Sequence, residues 1–411
     1  MTTIKIGRKA YTCRTILVML ALVLLIFFEL RGGRSSFDEI LGLLAMGYVG
    51  TLCILHRLTK DDLISVLCMA AAILIGLLSN LVSGLSHSVF SICIDIIAET
   101  KFLWFYFALR YFINKRVKTE IVNLIRPFVG FFIIGAFVCG CVSQVVSIGM
   151  TDGEGSSRYG LKSFRFFFPL SFQFLAVMLV ILAVLVSSEQ IKRKRWLYLL
   201  ACVSLCLTTK SSPILFSAIF IFLLFYFRRR ERLKTSTVMV LAALVICLGT
   251  FQIKTYLLNE NAPRYLFFSY GAKTANTYFP LGSGFSTFGS DQAARVYSPL
   301  YYQYGFHRLF GMNTKDGSFL SDTFWPMGIA QFGWIGFVLY TAVYVRIFLS
   351  FRKTALGRDE KAFVYAAYLQ YMVHAVGSAI LSSAAGMIGV VGIALVMYSR
   401  QNQKAVQPGS I

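Results

Sequence analysis

Cationic side chains lie directly beside apolar segments at two places in this chain. One short segment contains Arg158, Lys162 and Arg165, and Lys210 lies in the turn Thr-Thr-Lys-Ser-Ser-Pro at 208–213. Arg donates paired hydrogen bonds to phosphate, and Lys acts on it as a point charge. These residues therefore predict a site for a phosphate-bearing anion. The alternative is that they only extend toward lipid headgroups.

A single carboxylate precedes one of the apolar segments. Asp322 lies in Phe-Leu-Ser-Asp-Thr-Phe-Trp-Pro at 319–326. At a membrane boundary a partly desolvated carboxylate can act as a general base. The ordinary alternative is a helix N-cap, which Asp performs well. Asp322 is thus the candidate catalytic residue, with a purely structural role still open.

A glycine-rich segment at 280–289 reads Pro-Leu-Gly-Ser-Gly-Phe-Ser-Thr-Phe-Gly. It does not resemble a nucleotide-binding loop, because it lacks the third glycine of that motif and has no Gly-Lys-Ser/Thr element. It is either a tight aromatic-lined turn or part of a ligand site. Tyr297, Tyr301 and Tyr302 follow it and are candidate sugar-stacking residues, with an aromatic core or interfacial belt as the alternative.

Three charged residues lie within an apolar segment. Asp95 and Glu99 are four residues apart, which places them on one face of a helix, and Lys101 follows closely. Ionisable groups inside a membrane span indicate function by default. An internal ion pair that stabilises the helix bundle is the equally weighted alternative.

The elements that must position these residues are twelve long apolar segments, which predict an all-α polytopic membrane protein. Hydrophobic residues make up 57% of the 411 residues and charged residues only 14%. A membrane span needs about 20 mostly apolar residues. The predicted spans are 15–30, 38–55, 63–82, 89–112, 121–146, 166–186, 196–207, 213–227, 238–253, 324–349, 363–380 and 382–397. The seventh and eighth are short, so one broken hairpin is an alternative to two complete spans.

The distribution of basic residues predicts the orientation of the chain. With the N-terminus inside, 27 of the 40 Lys and Arg residues fall on the cytoplasmic side, as the positive-inside tendency requires. We therefore expect both termini to be cytoplasmic. The net charge of +22 is then explained by orientation and contact with anionic lipids in the bilayer. Nucleic-acid binding is not expected, because no soluble basic domain is present to carry it.

Two connections on the opposite side are long. Residues 147–165 and 254–322 are predicted external loops within one integral membrane domain that spans 1–411. The second loop is too rich in Phe and Tyr to be a solvated tail. Within it, Ser290 and the Ser298-Pro299 pair each predict the start of a short helix. We expect a small helical cap over the membrane-embedded part.

The predicted external loops contain no cysteine and no Asp-x-Asp motif or other metal-ligand pattern. The sequence therefore predicts neither a metal nor a cofactor. Arginine and lysine side chains are then the groups expected to stabilise a bound anion. Among these, Arg295 in the long loop is a weaker candidate than Arg158 or Lys210.

The order of these motifs resembles the bacterial O-antigen polymerase (Wzy) and O-antigen ligase superfamily over roughly residues 15–398. It comprises the external Arg158-x-Gly loop, the Thr-Lys-Ser turn at Lys210, the Pro-x-Gly-x-Gly-Phe loop, and then Asp322 followed by Gln331, Gly333 and Gly336. In the ligases the last motif begins with a His, followed nine residues later by a Glu. Asp322 and Gln331 stand at those positions here, and Lys210 replaces the family's usual Arg.

The resemblance implies a metal-independent glycosyltransferase of the bacterial cytoplasmic (inner) membrane that uses undecaprenyl-diphosphate-linked oligosaccharides. Because the ligase His is absent, it favours a repeat-unit polymerase of O-antigen or capsular polysaccharide. A sugar hydroxyl would attack the anomeric carbon of the growing glycan and release undecaprenyl diphosphate. Arg158, Lys210, Arg165 and Arg295 are then the expected diphosphate-binding residues, and Asp322 the base or hydroxyl anchor. Chain-length regulator and flippase proteins are the implied protein partners.

Two other functions stay open at this point. An O-antigen ligase that transfers glycan to an acceptor is compatible with Asp322 in the His position. A lipid-linked-oligosaccharide flippase or other transporter would also have about twelve helices. It should show an internal repeat and a polar midplane cavity, and no repeat is visible in the sequence.

Overall fold

The computed structural model describes residues 3–6, 9–32, 36–86, 88–153, 157–191 and 193–397. Residues 154–156 of the first long loop therefore lie outside the described residues, and so do four of the 27 basic residues assigned to the cytoplasmic side: Arg8, Lys192, Arg400 and Lys404.

The described chain is mostly helical. A short antiparallel hairpin, β1 (Thr3–Ile6) with β2 (Lys9–Thr12), precedes the helices. The all-α prediction did not include it. The helices are α1 (Cys13–Leu30), α2 (Phe37–Ile54), α3 (Lys60–Ser83), α4 (Val89–Phe112), α5 (Lys115–Val145), α6 (Ser171–Ser187), α7 (Trp196–Cys206), α8 (Ser211–Arg229), α9 (Thr235–Gln252), α10 (Pro263–Thr277), α11 (Asp291–Val296), α12 (Pro299–Gln303), α13 (Trp325–Lys353), α14 (Arg358–His374) and α15 (Ala384–Met397). A π-helical turn, Ile253–Leu257, continues α9, and 3₁₀ turns occur at Phe306–Arg308 and Ile380–Ser382.

Six of the described helices are long and apolar enough to cross a membrane: α1, α2, α3, α5, α8 and α13. Large apolar side chains are exposed along their outer faces, for example Leu44, Leu74 and Phe131. Such surfaces are covered by lipid tails in a membrane protein. The chain is therefore a helical multi-pass membrane protein.

Each of the twelve predicted spans overlaps a helix, and 196–207 and 213–227 form two separate helices, α7 and α8. The other six helices in this set are shorter or more polar than the six that could cross a membrane by length and composition. The count of twelve spans stays a prediction.

The centre of the bundle is built from helices that are apolar on all sides. Every residue from Phe174 to Val186 of α6 is buried, and so is every residue from Ala385 to Met397 of α15. An all-round apolar helix is stable only when other helices surround it. Small residues bring the two helices together, because a Cβ at Gly392 would lie 3.1 Å from the carbonyl oxygen of Leu179.

Helix α13 is broken near its beginning. Gly333 has φ 60° and ψ −175°, far from helical values, so the helix consists of a short first part and a long second part. The glycine-rich loop at 280–289 packs into this break. Ser283 N donates to Ala330 O at 2.9 Å, and Gly284 N donates to Gln331 O at 3.0 Å. Carbonyls near the break thereby gain partners from the loop, as a membrane interior requires.

The same loop is also fastened to α3. The amide of Asn80 donates to Phe285 O and accepts from Phe285 N, both at 2.8 Å. Gly282 has φ +90°, and a Cβ there would lie 2.2 Å from Gly333 N. The glycines of this segment thus permit close backbone packing, which is the tight aromatic-lined turn weighed from the sequence.

Residues 262–324 form a small helical unit with its own apolar core. The predicted helix starts are confirmed, since Ser290 Oγ accepts from Ala293 N at 3.1 Å and Ser298 Oγ accepts from Leu300 N at 3.3 Å. The core consists of Phe267, Phe288, Ala293, Leu300, Tyr301, Phe306, Met312 and Leu320, and Ala330 of α13 packs with them. We call this unit, residues 262–324, the cap.

Candidate anion-binding site

A cavity of about 480 Å³ opens where the loop after α5, the α7–α8 turn and the start of the cap meet. Its polar and charged lining consists of Asp152, Arg158, Ser171, Lys210, Ser211, Ser212, Tyr256, Arg264 and His374. Its apolar lining comes mainly from α8, α9 and α14 and includes Leu215, Val245, Ile253, Leu257, Val373 and Val376. The cavity therefore joins a charged region to an apolar region between helices.

Arg158 reaches the cavity on a small hairpin. Arg158 N donates to Leu161 O at 2.9 Å, and Leu161 N donates to Arg158 O at 3.0 Å. The two residues between them, Tyr159 and Gly160, both have positive φ angles of 57° and 77°. Positive φ at both central positions is typical of a tight two-residue hairpin turn. Local backbone chemistry thus fixes Arg158 at the tip of the loop.

The loop and the α7–α8 turn are held together by backbone contacts. Phe164 N donates to Leu207 O at 3.1 Å, and Ser163 Oγ donates to Thr208 O at 2.8 Å. The Lys210 ammonium lies 2.9 Å from Asp152 Oδ2. These bonds explain why two predicted cations far apart in sequence, Arg158 and Lys210, line one cavity.

Two helices begin at the cavity wall. Ser171 and Phe172 lie in the first turn of α6, and Ser211 and Ser212 lie in the first turn of α8. The N-terminus of a helix carries partial positive charge and unsatisfied N–H groups. Lys210, the N-cap residue of α8, has no acceptor that could cap those amides. Both helix ends therefore favour a bound anion.

Arg264 is a third cation in the lining, and sequence reasoning missed it. It lies in the first turn of α10, directly after Pro263. Its guanidinium lies 4.7 Å from the ring centre of Tyr256, and its Nη2 is 3.1 Å from Asp322 Oδ2. The Pro-Arg pair at the start of a helix was the available signal, but nothing in the sequence links it to Arg158 or Lys210.

His374, the last residue of α14, was also missed. Gln370 lies one turn before it, and its Nε2 is 2.5 Å from Ser212 Oγ and 3.5 Å from His374 Nδ1. A side-chain network thus joins α14 to the first turn of α8. The only sequence signal is a rare His, one of four in the chain, inside a predicted span.

Asp322 is not a helix cap. Helix α13 begins at Trp325 and its N-cap residue is Phe324, so the structural alternative weighed from the sequence is wrong. Asp322 instead pairs with Arg264 from outside the cavity lining. Burial raises the pKa of this carboxyl, and the Arg264 guanidinium opposes that rise.

Arg165, a predicted diphosphate ligand, lies outside the cavity lining. Its Nε donates to Thr151 O at 3.1 Å and its Nη1 to Phe168 O at 2.6 Å. These bonds fold the loop that carries Asp152 and Arg158. The structure therefore gives Arg165 a supporting position.

The predicted ligands of the long loop also lie elsewhere in the structure. Arg295 pairs with Asp291 at 2.7 Å on the surface of α11. Tyr301 is fully buried in the cap core, Tyr297 donates to Met312 O at 2.9 Å, and Tyr302 is largely exposed. None of the four lines the cavity. For Tyr301 the aromatic-core alternative describes the structure.

No group of three or more His, Cys, Asp or Glu residues suited to hold a metal ion occurs within the described ranges. The positive charge at the cavity in the described structure comes from side chains and helix ends.

No family model, curated protein or solved structure matches the chain. The function is therefore argued from the site.

Proposed function

We propose that the chain is a membrane-embedded glycosyltransferase that polymerises undecaprenyl-diphosphate-linked oligosaccharide repeat units into O-antigen or capsular polysaccharide. The observation that carries the proposal is the convergence of Arg158, Lys210 and Arg264 on one cavity. Among the described residues, the cavity lining holds these three cations and one carboxylate, Asp152. A site of this charge suits a diphosphate better than a neutral solute.

The two regions of the cavity match the two parts of such a substrate. The charged region, with its two helix N-termini, suits the diphosphate. The apolar region between α8, α9 and α14 suits the beginning of a polyprenyl chain, with Leu215, Val245 and Val373 among its walls. A soluble nucleotide-sugar would have no use for the apolar region, so a lipid-linked donor fits better.

The reaction joins a hydroxyl of the incoming repeat unit to the anomeric carbon of the growing glycan. The bond between that carbon and the diphosphate oxygen breaks, and the leaving diphosphate gains negative charge. Arg158, Lys210 and Arg264 stabilise this charge in a partly dry site, where such contacts are strongest. The hydroxyl proton passes to a base at the cavity wall.

We assign the base role to His374 and a positioning role to Asp322. His374 lines the cavity, and a neutral imidazole can accept a proton. Asp322 lies outside the lining and holds the Arg264 guanidinium. The competing assignment makes Asp322 itself the base. The two assignments predict losses of activity of different size when His374 and Asp322 are mutated.

The cavity lies at one end of the helices, which we assign to the external face of the bacterial inner membrane. The distribution of basic residues supports this orientation, with both termini cytoplasmic and both long loops external.

Glycan analysis of a strain that lacks the chain tests the proposal against its alternatives. Polymerase loss leaves single repeat units on the surface acceptor. Loss of a flippase removes surface glycan, and loss of a ligase leaves polymer that is not attached to its acceptor. Surface glycan of normal length in the deletion strain would contradict all three functions.

A further inference from the structure

A buried polar cluster surrounds Asp95 on α4, and none of its members lines the cavity. Asp95 Oδ2 accepts from Ser286 N at 2.5 Å, from Ser290 Oγ at 3.0 Å and from Gln331 Nε2 at 3.2 Å. The carboxylate thus joins three elements: α4, the cap through Ser286 and Ser290, and the first part of α13. Glu99 lies one turn further along α4.

Five oxygen atoms in this cluster have no hydrogen-bond partner among the described residues: Asp95 Oδ1, Glu99 Oε1 and Oε2, Gln331 Oε1 and Ser286 Oγ. All four residues are at most 1% exposed. The Gln331 amide is oriented by its Nε2, which also donates to Phe288 O at 2.9 Å. Apart from the Ser286 hydroxyl, the unpartnered atoms are acceptors when the carboxyls are ionised.

No basic side chain of the described chain pairs with Asp95 or Glu99. The nearby Lys101 pairs with Asp38 and Glu39 of α2, so the internal ion pair weighed from the sequence forms with different partners. Two buried carboxylates without a cation are costly inside a membrane. Protonation alone would leave the Gln331 oxygen and remaining carboxyl oxygens short of donors.

We infer that Asp95, Glu99, Ser286 and Gln331 form a binding site for a small hard cation of the sodium class. Oxygen ligands suit such ions. The site adjoins the break of α13 at Gly333, and interrupted membrane helices supply sodium sites in other folds. Five free oxygens fall short of the six to eight that calcium takes. One proton on the carboxyl pair completes the charge balance.

The bound ion would fasten the cap to the bundle. Its proposed ligands lie on α4, on α13 and at Ser286, which belongs to the cap loop at 280–289 that packs into the helix break. The inference stands independently of the glycosyltransferase proposal, because it rests on residues outside the cavity lining.

Thermal unfolding of the purified full-length protein in detergent tests the site. We expect the melting temperature to rise by roughly 5 °C in sodium chloride relative to choline chloride at equal ionic strength. Asp95→Asn and Glu99→Gln should remove this rise. Glu39→Gln is the matched control, because Glu39 is a carboxylate of the adjacent helix that pairs with Lys101, and it should keep the rise.

Ser286→Ala covers the case in which the carboxylate variants fail to fold. It removes one neutral ligand and should weaken radioactive sodium binding about tenfold. Equal melting temperatures in sodium and choline would overturn the inference. So would a sodium response that persists in Glu99→Gln and Ser286→Ala, or stabilisation by calcium or magnesium alone.

Discussion

At the scale of single residues, three cations from separate parts of the chain share one cavity. Arg158 and Lys210 were predicted as anion ligands because their residue types and neighbouring helices indicate that chemistry. Arg264 and His374 could not be predicted, because their proximity depends on packing between α10, α14 and α8. Arg165 donates to backbone carbonyls, and Arg295 pairs with Asp291. Tyr301 lies in the cap core with Tyr297 packed against it, and Tyr302 is largely exposed.

Two arginines of the long loop, Arg264 and Arg295, provide a matched comparison. Arg264→Ala should lower polymer formation by about 10²–10³-fold, as expected when one contact to a developing anion is lost. Arg295→Ala should stay within about twofold of wild type, because its surface pair with Asp291 contributes little. Polymer length in a complemented deletion strain, at matched protein abundance, measures both. An equal loss of polymer in the two variants would argue against the cavity as the diphosphate-binding site.

Asp322→Asn separates positioning from proton transfer. The amide keeps the shape of the side chain but loses the charge that holds Arg264, so we expect a loss of about tenfold. His374→Gln should cost about 10²–10⁴-fold as loss of a general base. The reverse order of effects, measured as the polymerisation rate of folded protein, would assign the base to Asp322.

The pH dependence of activity provides a second test of the contact between Asp322 and Arg264. Burial raises the pKa of Asp322, so acidification protonates it at a higher pH than an ordinary Asp and releases Arg264. Activity should therefore fall on the acidic side, and Asp322→Asn should lack the part of this fall that Asp322 contributes. An acidic limb of unchanged shape in Asp322→Asn would contradict the positioning role.

At the scale of elements, hydrophobic runs located the helices well. Each predicted span overlaps a helix because apolar length is a direct requirement of the bilayer. The break at Gly333 was not predicted, since a glycine in an apolar run does not by itself indicate a kink. The partner of the break, the loop at 280–289, is more than forty residues earlier, so only the tertiary structure shows that the two pack together.

Gly282→Ala tests the packing of this loop into α13. Its added Cβ would lie 2.2 Å from Gly333 N and 2.7 Å from Ala330 O, at a φ of +90°. We expect a loss of stability of roughly 2–4 kcal/mol, measured by unfolding in detergent. Gly305→Ala is the control, because it has φ +75° but open space around the new Cβ. Similar losses in both variants would mean that backbone strain alone explains the effect.

At the scale of the whole molecule, charge asymmetry predicts how the chain lies in the membrane. A topology reporter inserted near Lys315, an exposed position in the cap, should report the external side. A reporter near Arg230, between α8 and α9, should report the cytoplasmic side. A cytoplasmic signal at Lys315 would reverse the orientation and place the cavity on the wrong face for an external glycan.

The central claim is that the cavity binds the diphosphate of a lipid-linked glycan and promotes its transfer. The most direct measurement uses purified protein and undecaprenyl-diphosphate-linked repeat units without added metal. We predict a ladder of polymer with one undecaprenyl diphosphate released per new linkage, and a rate about 10²–10³-fold lower for Lys210→Ala. Absence of polymer with wild-type protein, or an unchanged rate with Lys210→Ala, would contradict the account.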